Sequence, residues 1–186
     1  MKRTFLAVKI FPEPALINVL EDFYSSLNKE KIKWVEKNNL HITLKFLGDT
    51  EEENIPVINE KLLEVASKDN NFHIILQGCG VFKNLRKPKV LWVGLHETEN
   101  LKNLHLDIEN SLAETGFAKE ERPFSPHLTI GRIKFLKNYS ILRSKLGQYH
   151  DKYFQQNHVN EFIFYESILT QAGPIYRIIN KFPLKV

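Results

Sequence analysis

The chain lacks the features that would commit it to several functional classes. It carries a single cysteine, Cys79, in 186 residues, so no intrachain disulfide can form, and a reducing, cytoplasmic setting fits better than a secretory one. Cys79 sits between Gly78 and Gly80 beside an apolar strand pattern, where a packing role outweighs a nucleophilic one. No apolar run approaches the ~20 residues that span a bilayer. The opening Met1-Lys2-Arg3 has the start of a secretory leader, but the apolar run from Phe5 to Val8 is broken by Lys9 and Pro12, which predicts a first strand instead. A large excess of one charge is also missing. The net charge of +4, with 26% charged residues, is what an ordinary solvated surface gives; it suits a few phosphates at a polynucleotide end and is too small for duplex DNA. There is no low-complexity segment and no Gly/Ser-rich tether. With 42% hydrophobic content, residues 1–186 are expected to form one unit with a shared core.

Strand and helix patterns are mixed along the chain. Arg3 to Ile10 alternates, with Thr4, Leu6, Val8 and Ile10 on one face and Arg3, Phe5, Ala7 and Lys9 on the other. After Pro12 and Pro14, the spacing of Leu16, Leu20, Phe23, Tyr24 and Leu27 predicts a helix with one buried stripe. Leu40 to Leu47 is strand-like, with Gly48-Asp49-Thr50 as its end. A second helix carries Ile55, Ile58, Leu62 and Leu63; Thr50 with Glu53 resembles a capping box, but Pro56 fits only a first turn and favours a start near Asn54. Strands at Phe72 to Gln77 and Val90 to Leu95, a helix with Leu101, Leu104, Ile108 and Leu112 ending near Gly116, and a strand from Pro126 to Ile133 follow. A short helix at Ser140 to Leu146 and strands at Glu161 to Leu169 and Tyr176 to Phe182 complete the set. Similar pieces recur in both halves, which suggests two lobes packed side by side.

The informative feature is a duplication. His41-Ile42-Thr43-Leu44 in the first half matches His127-Leu128-Thr129-Ile130 in the second. On a strand, residues i and i+2 share a face, so each His and Thr point together while the apolar positions enter the core. One such histidine alone would be an ordinary strand residue holding a hydrogen bond. Two copies in matching contexts can converge on one cleft if the lobes are related by an approximate twofold. Two imidazoles facing one phosphorus suffice for in-line displacement, one taking a proton from the attacking group and the other protonating the departing oxygen. The ordinary histidine pKa of about 6.5 allows one neutral and one protonated ring near neutrality, best achieved if the site drives the two values apart. The hydroxyls of Thr43 and Thr129 supply donors to the nonbridging oxygens.

Two other readings compete. A metal site would want a further His, Asp or Glu where each tetrad has threonine, and His73, His96, His105, His150 and His158 show no ligand spacing, so no metal is expected. An RNA-binding module could use the histidines only as phosphate contacts, with Trp34, Trp92 and Tyr176 stacking on bases, although core packing accounts for those aromatics as well.

Beyond the tetrads stand Arg3-Thr4-Phe5-Leu6-Ala7, the run from Asn39 to Gly48, the run from Phe124 to Arg132, Glu166-Ser167 and Gly173-Pro174-Ile175-Tyr176. On these residues, spread over nearly the whole chain, the sequence resembles the two-histidine phosphoesterase superfamily, and within it the RNA 2′,3′-cyclic phosphodiesterases formerly described as 2′-5′ RNA ligases. The resemblance implies an α+β fold of two pseudo-symmetric lobes, with antiparallel sheets flanking a central cleft and helices outside. It implies a hydrolase that opens RNA 2′,3′-cyclic phosphate ends to 2′-phosphomonoesters, with no cofactor, membrane or obligate protein partner. His41 is then the proton donor and His127 the acceptor, and a weak ATP-independent 2′-5′ ligation is the reverse chemistry. A relative acting on small cyclic nucleotides or on 2′-5′ linked oligonucleotides would share that chemistry. Arg132 and Lys89 are the implied phosphate contacts. Arg132 lies at an odd offset from His127 and reaches the same face only if the strand bulges near Gly131; Lys89 stands where an arginine is usual and offers a point charge in place of a fork.

Overall fold

The computed structural model describes residues 1–171 and 173–186. Strands β1 (Lys2–Lys9), β2 (Lys31–Trp34), β3 (His41–Thr50), β4 (Phe72–Phe82), β5 (Val90–His96), β6 (Leu128–Phe135), β7 (Tyr153–Val159), β8 (Glu161–Leu169) and β9 (Pro174–Pro183) pair antiparallel in the order β7-β4-β5-β6-β3-β1-β8-β9, with β2 on β6. Helices α1 (Pro14–Ser26), α2 (Ile55–Ala66), α3 (Glu99–Ala113) and α4 (Tyr139–Gln148) bury their apolar stripes in the main core, against Leu6, Val8, Ile42, Leu76, Leu91 and Leu128. The fold is α+β, a curled antiparallel sheet with helices on its outer side.

The sheet divides at its middle. β3 and β6 share a single ladder pair, Ile42 with Leu128. On one side of this seam lie β3, β1, β8 and β9, and on the other β6, β5, β4 and β7. Apart from β2, β7 and β9, chain order repeats as β1-α1-β3-α2-β4 and β5-α3-β6-α4-β8. In both units the middle strand lies at the seam and pairs with the first strand. The last strand of each unit crosses over: β4 pairs with β5, and β8 with β1. The halves therefore exchange strands, which explains why no linker divides them.

Both faces of β1 are covered. Leu6, Val8 and Ile10 enter the helix-backed core, while Phe5 and Ala7 form a second cluster with Ile163, Tyr165 and Tyr176 on the open face. That open face carries the two tetrads.

Several elements differ from the pattern in the sequence. In α1 the buried residues are Leu16, Val19 and Phe23; Tyr24 is 58% exposed and turns toward Trp34, ring centroids 5.8 Å apart. α2 starts at Ile55 with Asn54 as N-cap and Pro56 in the first turn, and no side chain caps it. The Thr50 hydroxyl is used elsewhere, bonded at 2.7 Å to that of Thr4. Gly48 does not end β3. It adopts φ +76 at a register shift against β1, and the strand runs on to Thr50; a left-handed φ at a bulge is a conformation glycine takes without a Cβ clash. β4 likewise passes through Gly78, at φ +72, to Phe82. β2 and β7 have no counterpart in the sequence reading, and β6 begins at Leu128, leaving His127 just ahead of the strand.

Candidate active site

The seam brings the tetrads together. Because Ile42 faces Leu128 in antiparallel register, the next positions set His41 opposite Thr129 and Thr43 opposite His127. Residues directly opposed across antiparallel strands project to the same face, with Cβ atoms about 4.5–5.5 Å apart. Ile42 and Leu128 are fully buried beneath, while His41, Thr43, His127 and Thr129 are half-buried above them.

The two rings are oriented by one device used twice. His41 Nδ1 lies 2.7 Å from the Asn39 carbonyl oxygen, and His127 Nδ1 lies 2.8 Å from that of Ser125. A carbonyl only accepts, so in each ring Nδ1 carries the hydrogen and Nε2 is left for the cleft. Each ring is also met edge-on by an aromatic. Tyr176 stands at 87° to His41 with centroids 5.2 Å apart, and Phe82 at 86° to His127 with centroids 4.6 Å apart.

Arg132 reaches this face through a bulge. Opposite it in β5, Leu91 pairs with Gly131 and Trp92 with Thr129, so Ile130 is an extra residue. Ile130, Gly131 and Ile133 are buried and Arg132 is exposed, so the parity resets as its offset from His127 requires. Gly131 is closely approached there: a Cβ would come within 3.0 Å of the Ile32 side chain and 3.2 Å of the Trp34 ring. A cavity of about 190 Å³ joins His41, Thr43, Thr129, Arg132, Trp34 and Tyr176. A larger one, about 720 Å³, holds His127, Phe46, Phe82 and Phe124 and meets the first at Thr43. Lys89 lines neither. It is exposed, and its backbone ties the β4–β5 turn to β6 through bonds to Phe82 and Ile133.

Both imidazoles are pushed below the ordinary 6.5, first by burial, with the carbonyl bonds partly opposing. The charges of Lys9, Arg132 and His127 press His41 down further, and that of Arg132 does the same to His127. His41 thus has the more cationic surroundings. Tyr176 is held above its usual range by burial.

The supporting residues were not visible in the sequence. Lys45 and Glu109 form an ion pair with 4% and 5% side-chain exposure; Lys45 Nζ is 2.8 Å from both carboxylate oxygens and donates to the Ala118 carbonyl, and the Glu120 amide donates to Glu109. His105 bonds the Leu44 carbonyl and stacks on Phe124 at 3.9 Å. Together they tie the segment leading into His127 to β3 and α3. Only the charge of Lys45 between the apolar Leu44 and Phe46 hints at this. Of the three aromatics, Trp34 and Tyr176 line the His41 cavity, whereas Trp92 lies across Gly80, where a Cβ would fall 2.2 Å from its ring. Among the described residues, no three His, Cys, Asp or Glu side chains cluster as metal ligands would.

The chain is similar to known proteins over most of its length. The family model for LigT like Phosphoesterase matches twice, at residues 9–92 and 93–176. An RNA 2′,3′-cyclic phosphodiesterase of Methanocaldococcus jannaschii is 38% identical over 96% of this chain and 99% of its own length. One from Aquifex aeolicus is 40% identical over 82% of this chain and 81% of its own. The crystal structure of TT0787 of Thermus thermophilus superposes with a TM-score of 0.79 at 25% identity, covering 98% of each chain.

Proposed function

The chain belongs to the LigT-like phosphoesterase family, and from that premise we propose that it opens 2′,3′-cyclic phosphate ends of RNA by acid–base catalysis between His41 and His127. The observation that carries the reading is the mirrored placement of the rings: each is locked through Nδ1 to a backbone carbonyl, with Nε2 left for one shared face. His127 Nε2 takes a proton from water as the water oxygen attacks phosphorus. The P–O3′ bond breaks with its electron pair, and the 3′ oxygen takes the proton held on His41 Nε2, the donor role that the resemblance implies, leaving a 2′-phosphomonoester; burial and its cationic surroundings make that protonated form the minority one near neutrality. Thr43, Thr129 and Arg132 hold the nonbridging oxygens as negative charge builds on them. Lys89 has no place in the cyclic phosphate pocket and serves at most a strand further out.

Trp34 and Tyr176 make the His41 cavity the side for the terminal nucleoside. One chain supplies both histidines, so the pair needs no second subunit, and we propose a monomer. We place it in the cytoplasm on its single cysteine, which excludes an intrachain disulfide; separately, among the described residues no helix is long and apolar enough to cross a membrane.

The test is turnover of an RNA bearing a 2′,3′-cyclic phosphate, in EDTA, by wild type, His41→Ala and His127→Ala. Each variant should lose about 10²–10⁴-fold in kcat while still binding the RNA, and the wild-type product should be the 2′-phosphate. Turnover abolished by the chelator, or a 3′-phosphate product, would overturn the reading.

A further inference from the structure

Strand register sets a lysine beside the His41 ring. Lys9, the last residue of β1, pairs directly with His41, the first of β3, so both side chains rise on the open face. Lys9 is half-buried and donates to the Asn38 carbonyl oxygen, which leaves two of its three ammonium hydrogens without an acceptor. Among the described residues no carboxylate pairs with it, and burial pulls its pKa below the ordinary lysine value. Lys181 nearby is matched by Glu161 at 2.9 Å.

A cavity of about 290 Å³ opens on these groups. It shares Asn39, His41 and Tyr176 with the cavity given above to the terminal nucleoside, so the two adjoin at those residues. Apart from His41, its charged lining is Lys9, Lys181 and Glu161, and the unmatched charge is that of Lys9. Phe11 also lines it, 73% exposed and with its ring centre 5.9 Å from Lys9 Nζ. The ring stands open on a held backbone: Ile10 is fully buried, and the buried Gln155 side chain accepts from the Glu13 amide and donates to the Phe11 carbonyl. An unmatched ammonium beside an exposed aromatic offers one contact to a phosphate and one to a base.

We propose that this cavity is the subsite for the penultimate nucleotide of the RNA, with Lys9 on the phosphate that joins it to the terminal nucleoside and its base stacked on Phe11. The proposal deepens the phosphodiesterase reading and rests on it. That phosphate sits on the 5′ oxygen of the terminal nucleoside, and the wall shared by the two cavities leads from that nucleoside to Lys9. No bond forms or breaks in the subsite; it selects the end of a strand over a free nucleoside 2′,3′-cyclic phosphate, which has neither group to offer. The arriving phosphate also offsets the Lys9 charge that opposes the His41 imidazolium.

The experiment compares kcat/KM on adenosine 2′,3′-cyclic phosphate, on the same compound 5′-phosphorylated, and on the dinucleotide ApA 2′,3′-cyclic phosphate. For wild type the 5′-phosphate should raise kcat/KM about tenfold, the scale of a charge-assisted contact, and the second nucleoside about tenfold more, the scale of one base–aromatic stack. Lys9→Met should abolish the first step, and Phe11→Ala the second; Phe11→Trp should keep the second step and Phe11→Leu should lose it. Each step is a ratio within one protein, so a change in His41 itself cancels. Equal use of the first two substrates by wild type, or variant losses of the same size on all three, would overturn the subsite. If wild type turns over none of them, the phosphodiesterase reading fails first and the subsite falls with it.

Discussion

Asn39 and Ser125 fix the chemistry of the two imidazoles without contributing a side-chain atom to it. Their carbonyls hold Nδ1–H, so the reactive nitrogen of each ring is decided by backbone geometry two residues upstream. Side-chain identity reveals none of this, which is why the histidines were legible as a pair while their tautomers were not. Arg132 was conditional on a bulge near Gly131, and the bulge is there; Lys89 was placed by neighbourhood alone and lies outside the cavities. Replacing Arg132 with Gln should lower kcat/KM by about ten- to a hundredfold, the scale of one charge-assisted contact to a phosphate. Lys89→Gln should change it less than about twofold on a dinucleotide cyclic phosphate, since an exposed charge outside the site is screened. Steady-state kinetics on the two variants separate these roles; an equal loss in both would contradict the geometry.

Among the elements, β3 and the segment before β6 matter most, and they are joined by Lys45 and Glu109. A buried ion pair is costly to break from one side, because the remaining charge has no water to solvate it. Lys45→Met should destabilise the protein by about 3–5 kcal/mol, and the double variant Lys45→Met/Glu109→Leu should recover much of that loss. Urea unfolding of the three proteins measures the cycle, and additive losses would show that the pair is not coupled. Strong periodicity made most strands and helices legible, and the exceptions have physical causes. β2 is four residues long, too short for a pattern to rise above its surroundings. β7 contains Gln155, which looks like a surface residue but is 1% exposed, accepting from the Glu13 amide and donating to the Phe11 carbonyl. Gly48 and Gly78 read as stops because glycine usually ends a strand; here each supports a bulge within one.

At the scale of the molecule, the duplication in sequence is a duplication in space whose last strands have changed places. With β4 completing one half-sheet and β8 the other, neither half retains its sheet if the other unfolds. We therefore propose that the two lobes form one domain. Sheet signal by circular dichroism and fluorescence of Trp34 and Trp92 should be lost in a single coincident urea transition; two separated transitions would show independent lobes. The exchange also places the seam, and with it the cleft, where the two units meet, so the pairing of His41 and His127 depends on both.

The proposed chemistry rests on two imidazoles acting on one phosphorus, and the pH dependence of kcat/KM measures that most directly, since its limbs report the free enzyme. Burial and neighbouring cations push both rings below 6.5, so the profile should be a bell with its maximum on the acid side of that value. Lys9→Met removes a positive charge that opposes the His41 imidazolium; it should move the limb set by His41 to higher pH and leave the His127 limb in place. A flat profile between about pH 5 and 9, or a single limb that neither histidine variant abolishes, would contradict the pairing.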